Sequence, residues 1–475
     1  MKELIKKLLP KSWLLTYHRV LAQIAGLVYG YPSRKMIVVG VTGTAGKSTT
    51  VNLIAKALEA SGQKVGLAST MNFQIGDKRW TNATKMTMLG RFALQKMLCE
   101  MLRAGCRYAV IETSSEGIRN SRHLEIDYDA AVLTNLTPEH IESHGSFEKY
   151  RAEKEKLFAQ LSKSYPKAVG GRRIVKLSVI NVDDPNSGNF WQYEVEKRLG
   201  YGLDPELPDA LHPIIPQNLA ITSSGTTFSV NGVNFRLNLP GRFNVYNALA
   251  AIAVAIGWGL DLNQVSAKLA EVTTMDGRME QIDCGQPFKI YVDYAHTPES
   301  LEQVYQTLRA QLDTPNRALS AAPVADAAPI PAPAPRLIAV LGSCGGGRDK
   351  AKRPILGRLA GQYADIAVIT NEDPYDERPE AIIEQVAAGA EEILAAGHVA
   401  GATSPAAQFN APKKPIPQLF KILDRREAIA KACQLARAGD IIVITGKGNE
   451  QWLMGPRGSR IPWDDRLVVK EVLGC

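Results

Sequence analysis

The stretch VGVTGTAGKSTT, residues 39–50, constrains the fold more than any other part of the chain. A β-branched run precedes it, and a helical pattern begins at Lys47. A glycine-rich loop between a strand and a helix points free backbone N–H groups and the positive helix end at an anion. The lysine supplies charge for terminal phosphates, and the hydroxyl of Ser48 or Thr49 can bind Mg²⁺. We therefore predict a nucleotide-binding loop that begins at Gly43.

The glycine spacing of this loop departs from the general GxxxxGK[ST] pattern. That pattern would place glycine at position 41, which is Val41, whereas the glycines here are Gly40, Gly43 and Gly46. The strand, the loop and the Lys-Ser-Thr sequence together still favour a nucleotide site. A purely structural glycine loop would not need the lysine and the hydroxyl groups.

Alternating elements extend this pattern over the rest of the chain. Short β-branched runs alternate with helical stretches, which is typical of βαβ units and a mostly parallel sheet. A predicted hairpin at Asn231-Gly232 interrupts the alternation before it starts again. We predict an α/β protein with a phosphate-loop central domain and a Rossmann-like C-terminal domain. The predicted segments are a basic helical extension at 1–34, the central ATP-binding domain at 35–276, the C-terminal domain at 277–475, and a flexible Ala/Pro-rich loop at 318–335 within it.

Charge and apolar spacing set the first 35 residues apart. The chain has a net charge of +8, and residues 1–35 carry seven basic side chains against Glu3. The high pI therefore belongs to this segment, and we expect no nucleic-acid partner. Apolar side chains recur at helical spacing over residues 4–30, with Pro10 expected to divide two short helices. Such a segment packs on the next domain, or it contacts a membrane surface or a protein partner.

The apolar runs and the cysteines predict the compartment and the membrane topology. No apolar run reaches the roughly 20 residues that span a bilayer, so we expect no transmembrane segment. The six cysteines show no CxxC and no metal-ligand spacing. That usage is typical of reduced thiols, and we expect a cytoplasmic protein.

A carboxylate, a histidine pair and a lysine follow the next strands. The run YAVIE ends in Glu112, where a carboxylate beside a phosphate loop can hold Mg²⁺ directly or through water. The following strand leads to His140 and His144, whose spacing alone could suggest zinc, although neither would need a metal. Lys154 and Lys156 lie on a charged helix whose default interpretation is a solvated face.

Nine motifs in a fixed order then make a family resemblance specific. They are GTAGKST, ETSS, TNLTPEHIESHGS, YRAEKEKLF, LPGRFNVYNALAA, GRME, VDYAHTPESL, GGGRDKAKRP and GKGNE. Together they resemble the Mur ligases, and among these most closely the MurE-type UDP-N-acetylmuramoyl-tripeptide synthetases. The resemblance covers roughly residues 35–470.

The resemblance implies an ATP-dependent amide ligase that depends on Mg²⁺. ATP would phosphorylate a substrate carboxylate, and the amine of an amino acid would attack the acyl phosphate. By motif match, the ATP-binding residues are Gly43, Thr44, Ala45, Gly46, Lys47, Ser48, Thr49, Asn244, Asn247, Arg278, Asp293 and His296. The matched metal ligands are Ser48, Glu112, His140 and Lys154, and the matched catalytic residues are Lys47, His140 and Lys154. Family members carry the lysine at the Lys154 position as a carbamate, whose negative charge could ligate a second Mg²⁺.

The two organic substrates are implied in the same way. The residues matched to the muramoyl-peptide nucleotide are Asn82, Thr84, Ser114 and Arg122, and those matched to the incoming amino acid are Arg348, Asp373, Gly446 and Glu450. Arg122 is the most specific of the first group, because a fixed guanidinium suits a carboxylate or a phosphate. In the second group, Arg348 could pair with the amino acid's carboxylate and Glu450 with a side-chain amine.

Departures from the family pattern keep a second hypothesis open. Members of the family carry an N-terminal domain that grips UDP, whereas 34 residues precede the phosphate-loop domain here. Diaminopimelate-adding enzymes show Asp-Asn-Pro-Arg where this chain has Glu372-Asp373-Pro374-Tyr375. The leading hypothesis is a ligase of peptidoglycan precursor synthesis. The alternative is a related ligase with a polypeptide or other non-nucleotide acceptor, similar to cyanophycin or polyglutamate synthetases.

Overall fold

The structure, a computed structural model, describes residues 11–139, 144–204, 213–222, 225–313, 334–347, 349–399 and 418–475. The chain divides into two compact units, residues 1–273 and 274–475. Each unit is described by itself. Most of the predicted Ala/Pro-rich loop lies outside the described residues.

The first unit is built on an eight-stranded sheet. The strands of the unit are β1 (Ile37–Thr42), β2 (Val65–Ala68), β3 (Asn72–Ile75), β4 (Lys78–Thr81), β5 (Tyr108–Glu112), β6 (Ala130–Leu133), β7 (Ala168–Val169), β8 (Arg172–Arg173), β9 (Leu177–Asn181), β10 (Lys197–Tyr201), β11 (Gln217–Thr222), β12 (Gly225–Val230) and β13 (Val233–Leu237). The sheet order is β10-β9-β6-β1-β5-β2-β3-β4. Neighbours from β10 to β2 are parallel, and β3 and β4 add an antiparallel edge.

Helices and a small sheet complete this unit. Its helices are α1 (Lys11–Tyr29), α2 (Lys47–Glu59), α3 (Arg91–Arg103), α4 (Ser115–Arg119), α5 (Phe147–Lys163), α6 (Gly188–Trp191), α7 (Arg242–Gly257) and α8 (Leu262–Ala270), with a 3₁₀ turn at Pro32–Lys35. Strands β11 to β13 form an antiparallel sheet, and β7 pairs with β8. The hairpin between β12 and β13 confirms the turn predicted at Asn231-Gly232. Both residues have positive φ, 48° and 77°, as a two-residue type I′ turn requires.

The central strands bring their carboxyl ends to one edge of the sheet. All six residues of β1 are buried, as are all of β5 and β6, which is why these runs are apolar without alternation. The register pairs Val41 with Glu112 and Thr42 with Leu133. The loops that follow β1, β5 and β6 therefore lie side by side.

The second unit contains a six-stranded sheet in the order β14-β15-β19-β16-β17-β18. These strands are β14 (Glu280–Ile282), β15 (Lys289–Asp293), β16 (Leu337–Leu341), β17 (Ile366–Thr370), β18 (Gln418–Ile422) and β19 (Ile441–Thr445), and β20 (Trp452–Met454) pairs with β21 (Arg460–Pro462). The helices are α9 (Pro298–Asp313), α10 (Lys352–Tyr363), α11 (Pro379–Val399), α12 (Arg425–Leu435) and α13 (Asp465–Leu473). Only the β14–β15 pair of the six-stranded sheet is antiparallel. The predicted α/β class, with a largely parallel sheet in each half, is confirmed.

Helix α1 forms the described part of the N-terminal extension. It begins directly after Pro10 and packs against α3. The helix predicted before Pro10 lies outside the described residues. Among the described helices, none combines the length and the apolar character needed to cross a bilayer.

A buried charge cluster fixes the chain just before β1. Asp129 is fully buried, and its carboxylate lies 2.7 Å from Lys167 Nζ and 3.0 Å from Lys176 Nζ. Lys167 Nζ also donates to the carbonyl oxygens of Ser33 and Met36, at 2.6 and 2.8 Å. Burial lowers the pKa of Lys167, and Asp129 opposes that effect. The aspartate thus offsets part of the cost of burying the Lys167 ammonium group, and it also pairs with Lys176 beneath the entry to the sheet.

Replacing Asp129 with asparagine should destabilise the protein by about 3–5 kcal/mol, because the substitution leaves the two buried lysines without their carboxylate. The pKa of Lys167 should fall further in the variant, so the folded state would bind fewer protons than the unfolded chain. The variant's stability should consequently rise with pH toward the unfolded lysine pKa of about 10.4. Denaturant unfolding at several pH values measures this. The control is Glu392→Gln, which removes a surface pair with Arg358 and should cost less than about 1 kcal/mol.

The cysteines differ from the expectation of thiols that are all reduced. Cys284 and Cys475 form a disulfide whose Cα atoms are 5.9 Å apart, whereas Cys99, Cys106, Cys344 and Cys433 are free. The pair is separated by 191 residues, so no spacing rule could have indicated it. It links the segment after β14 to the end of the chain, beyond α13.

Candidate active site

The phosphate loop follows β1 and opens α2, as predicted. Gly43 and Gly46 have φ values of 153° and 77°, which side-chain-bearing residues rarely adopt. A Cβ atom on Gly43 would collide with Thr134 Oγ1, and one on Gly46 would lie 2.5 Å from Asn247 Oδ1. Both glycines are therefore required by backbone conformation and by close neighbours.

The segment after β6 forms hydrogen bonds with this loop. Asn135 Oδ1 accepts hydrogen bonds from the backbone nitrogens of Thr44 and Ala45, at 3.2 and 2.8 Å. Thr134 Oγ1 donates to Ala45 O at 2.7 Å, and Thr44 Oγ1 donates to Thr137 O at 3.2 Å. These bonds fix the loop's shape through a neighbouring strand end rather than through the loop's own sequence.

Lys47, Ser48 and Glu112 converge at the start of α2. Lys47 Nζ donates to Thr44 O at 2.7 Å, so its ammonium group lies over the loop. Ser48 Oγ donates to Glu112 Oε2 at 2.8 Å, and Thr70 donates to the same carboxylate through its amide and its hydroxyl, at 2.7 and 2.9 Å. Glu112 is 2% exposed. The register between β1 and β5 places this carboxylate against the loop.

Lys154 is buried against the loop rather than on a solvated helix face. It lies on α5, is 1% exposed, and donates from Nζ to Gly43 O at 2.6 Å. The ring of Tyr150 lies 4.4 Å from Nζ, and the Tyr150 hydroxyl bonds with Thr44 Oγ1 at 3.1 Å. Burial, and after it the charge of Lys47, lowers the pKa of Lys154 well below the usual value of lysine. The uncharged form of the Lys154 amine is therefore populated far more than that of a surface lysine.

Asn244 and Asn247 lie at the start of α7. Asn247 Oδ1 accepts from Thr50 Oγ1 at 3.0 Å, and Asn247 Nδ2 donates to Asn244 Oδ1 at 3.2 Å. Asn244 Nδ2 donates to Pro240 O at 2.7 Å. Asn247 therefore lies beside the phosphate loop and α2, while Asn244 also stabilises the start of its own helix.

The residues matched to the acceptor lie in two loops of the first unit. Asn82 Oδ1 accepts from the backbone nitrogen and the hydroxyl of Thr84, at 2.9 and 2.6 Å. Ser114 caps α4 by accepting from Gly117 N at 3.1 Å. Asn82, Thr84 and Ser114 thus have structural bonds of their own, and their hydroxyl and amide groups organise the two loops.

Arg122 has a neighbour that the sequence did not suggest. Arg122 donates to Met88 O, and Arg91, the first residue of α3, donates to Asn120 O. Burial lowers the pKa of both guanidinium groups, and for Arg91 the charge of Arg122 adds to this effect. Within the described residues neither forms an ion pair, and Arg91 Nε is buried without a hydrogen-bond partner. Two adjacent guanidinium groups without a paired carboxylate are suited to an anion.

Arg278, Asp293 and His296 lie at the carboxyl end of β15 in the second unit. Asp293 accepts from Met279 N and Ala295 N, both at 2.6 Å, and burial raises its pKa, although Arg278 and these amides oppose the rise. Arg278 lies 4.3 Å from the ring centroid of Tyr294, and His296 Nδ1 is 2.9 Å from Tyr294 O. The structure therefore brings these three predicted residues together.

Asp373, Gly446 and Glu450 surround a lysine that the motif match left out. Lys447 is fully buried, and its Nζ lies 2.8 Å from Asp373 and 2.5 Å from Glu450. Burial alone would lower the pKa of Lys447, but Glu450 and Asp373 raise it. Gly446 has φ 106° and donates to Asp293 O at 3.1 Å. His140 and Arg348 lie outside the described residues.

Comparison with known proteins explains this arrangement. Residues 41–255 match the model of the Mur ligase middle domain, and residues 277–327 and 314–448 match that of the Mur ligase, glutamate ligase domain. The UDP-N-acetylmuramyl-tripeptide synthetase of Roseiflexus sp. (strain RS-1) is 37% identical over 461 residues, covering 95% of this chain and 81% of that protein. The chain belongs to the Mur ligase family.

Two further relatives of this Mur ligase agree. The UDP-N-acetylmuramoyl-L-alanyl-D-glutamate–2,6-diaminopimelate ligase of Halalkalibacterium halodurans is 34% identical over 459 residues, which is 96% of this chain and 82% of the relative. A solved structure of a ligase of that same name has 28% identity and a TM-score of 0.55, covering 92% of this chain and 78% of the other. As a Mur ligase, the protein is an ATP-dependent enzyme that forms peptide bonds, and its substrates are small molecules.

ATP and Mg²⁺ are the family's cofactors, and the residues at the loop fit both. Ser48 and Glu112 offer hard oxygen donors at one point, and Mg²⁺ commonly takes one or two protein ligands together with waters and substrate phosphates. Across the described ranges, no group of three His, Cys, Asp or Glu side chains forms a metal cluster. Two protein oxygens suit a metal whose other ligands are nucleotide oxygens and waters.

Several residues at the site were missed by the sequence analysis. Asn135, Thr70 and Tyr150 shape the loop and its carboxylate, and Lys447 and Arg91 carry charge beside predicted residues. Asn135 lies in the quoted motif TNLTPEHIESHGS and could have been suspected there. Arg91 had no signal, because only the fold places α3 beside the loop that contains Arg122.

Proposed function

We propose that this Mur ligase adds an amino acid to the carboxyl group of a UDP-N-acetylmuramoyl-peptide during peptidoglycan precursor synthesis in the cytoplasm. The main observation is the joint position of Lys47, Ser48, Glu112 and Lys154 around one phosphate loop. The identity with a tripeptide synthetase over 95% of the chain supports the choice of acceptor.

The proposed reaction has two steps. An oxygen of the acceptor carboxylate attacks the γ-phosphorus of ATP, and the bond between that phosphorus and ADP breaks. The amine of the amino acid then attacks the carbonyl carbon, the carbon–oxygen bond to phosphate breaks, and the nitrogen loses a proton. Mg²⁺ would neutralise charge on the phosphates. Lys47 and the loop amides would hold the terminal phosphates, while Ser48 and Glu112 would orient the metal.

Lys154 is proposed to act as a carbamate. A neutral amine reacts with CO₂ to give a carbamate and a proton, and the lowered pKa of Lys154 makes that amine available. The resulting anion would lie beside Gly43 and the ring of Tyr150. It would then ligate a second Mg²⁺, where an ammonium group would repel the metal.

The acceptor is proposed to present an anion to Arg122 and Arg91. Both guanidinium groups are held by backbone carbonyls, and neither forms an ion pair within the described residues. A carboxylate or phosphate of the acceptor that contacts both guanidinium groups would form charge-assisted hydrogen bonds with them. These bonds would replace its hydrogen bonds to water. Ser114, Asn82 and Thr84 lie in the adjoining loops.

The amino acid is proposed to bind in the second unit near Asp373, Gly446, Glu450 and Arg348. Tyr375 stands where diaminopimelate-adding enzymes have arginine, so a second carboxylate anchor is absent from that position. Asp373 and Glu450 instead share the buried charge of Lys447. We infer that the added amino acid does not need a second carboxylate. The division into a central ATP-binding domain at 35–276 and a C-terminal domain at 277–475, with Arg278, Asp293 and His296 of the latter assigned to ATP, stays a prediction.

Phosphate release from ATP tests this function directly. Purified protein should release phosphate only when a UDP-N-acetylmuramoyl-dipeptide and an amino acid are both present, and a panel of amino acids identifies the one used. Arg122→Ala should raise the KM for the acceptor at least about tenfold while the KM for ATP changes little, because the lost interaction is a charge-assisted one. The matched control is Arg119→Ala on α4.

Two outcomes would overturn the proposal. The UDP-linked dipeptide could fail to stimulate phosphate release while a peptide or polyglutamate acceptor does so. That result would support the alternative of a non-nucleotide acceptor. If Arg119→Ala and Arg122→Ala raise the KM for the acceptor equally, the assignment of Arg122 to the acceptor is wrong.

A further inference from the structure

Helix α1 exposes a continuous apolar stripe. Its members are Trp13, Tyr17, Val20, Ile24, Leu27 and Val28, whose side chains are between 42% and 69% exposed. At 3.6 residues per turn these positions fall within an arc of about 100° on the helix surface. Isolated exposed apolar residues are ordinary, but an aligned row about four turns long marks an interaction surface.

The opposite side of α1 is the one that packs on the unit. Ala22, Ala25 and Gly26 are buried there, and a Cβ atom on Gly26 would lie 2.8 Å from the ring of Tyr31. The helix also packs against α3. The stripe therefore is not a misplaced core face, because the helix already has its intramolecular contact on the other side.

Charge indicates what the stripe contacts. Residues 11–35 contain Lys11, Arg19, Arg34 and Lys35 and no aspartate or glutamate. Arg34 pairs with Asp127, whereas Arg19 is exposed. A basic segment whose helix exposes one apolar face, with an aromatic pair near its start, is the pattern of helices that lie in the interface of anionic bilayers.

We propose that α1 binds the surface of anionic lipid bilayers, with the stripe inserted among the headgroups and the net positive charge of the segment attracting lipid phosphates. A second copy of the chain fits less well, because pairing two such helices would bring two basic segments together. The apolar stripe supplies burial, and the positive charge supplies attraction that depends on anionic lipid. The proposal concerns where the enzyme acts and is independent of which acceptor it uses.

Vesicle sedimentation of the full-length protein tests the proposal. Phosphatidylcholine vesicles that contain roughly one-third phosphatidylserine should bind the protein, pure phosphatidylcholine vesicles should bind it much less, and added salt should weaken binding. Ile24→Glu with Leu27→Glu should lower binding to the anionic vesicles at least about tenfold, because charge would enter the acyl boundary. The control is Leu467→Glu, which changes an exposed leucine on α13 in the second unit and should bind like the wild type.

The position of the helix gives a second readout. Vesicles with brominated acyl chains should quench fluorescence from Trp13, measured as the difference between the wild type and Trp13→Phe. The variants should fold, because the changed side chains are exposed. Thermal unfolding checks this. Binding that is equal on neutral and anionic vesicles, or unchanged by the double substitution, would overturn the proposal. Light scattering that shows a dimer dissociated by the same substitutions, without vesicle binding, would assign the stripe to a second copy instead.

Discussion

Lys47→Ala should lower the kcat for ATP-dependent amide synthesis by about three orders of magnitude. The ammonium group lies over the phosphate loop, where charge on the transferring phosphoryl group would develop in the proposed reaction. Removing one such preorganised charge or donor typically costs about 10²–10³ in rate. The neighbouring lysine, Lys154, donates to Gly43 O and is not expected to replace Lys47 at the terminal phosphate. Steady-state phosphate release with acceptor and amino acid present measures the effect.

The control for this prediction is Lys56→Ala on the same helix. Lys56 pairs with Glu59 and Glu271 at 3.1 and 2.8 Å on the unit's surface, so its loss should affect stability slightly and turnover little. An unimpaired rate in Lys47→Ala, with the fold verified by thermal unfolding, would contradict the assignment of the phosphate loop.

Lys154→Ala should lower kcat by about two orders of magnitude or more, with a smaller change in the KM for ATP. The substitution would remove the proposed anionic ligand of the second Mg²⁺, and metal charge acts mainly where charge develops in the transition state. A carbamate on the wild-type protein would appear as a carbonyl signal after incubation with ¹³C-bicarbonate. That signal should be absent from the Lys154 variant.

Lys156→Ala is the matched control for Lys154. Its side chain is half-exposed on the same helix and pairs with Glu153 at 2.7 Å. It should retain wild-type turnover and the ¹³C signal. Loss of activity in Lys154→Ala without any carbamate signal in the wild type would keep Lys154 at the site but rule out its modification.

The sequence predicted the parallel strands better than the sheet edges. Runs such as Ile37–Thr42 and Ile441–Thr445 are buried on both faces, and their continuous apolar character identifies them without tertiary information. The edge strand Lys78–Thr81 is exposed and polar, and its hairpin partner is only four residues long. Packing rather than pattern stabilises such strands, so they escaped prediction.

The candidate site also contains some residues that the sequence predicts and others that only the fold brings together. Lys47, Ser48 and Glu112 follow from a strand, a loop and a helix that lie close in sequence or in register. Lys154 was interpreted from its surroundings as a solvated lysine, and the family resemblance alone singled it out. Its burial depends on how α5 packs across the loop after β1. The proximity of Arg91 and Arg122 depends on the start of α3 and the loop after α4, which meet only in the folded unit.

Transfer of labelled oxygen tests the central claim most directly. The acceptor's carboxyl group would be labelled with ¹⁸O, and the phosphate released during amide synthesis would be analysed by mass spectrometry. Activation of the carboxylate by the γ-phosphoryl group predicts one ¹⁸O atom in each phosphate formed. Amide synthesis that releases unlabelled phosphate would show that the bound nucleotide does not phosphorylate the carboxylate.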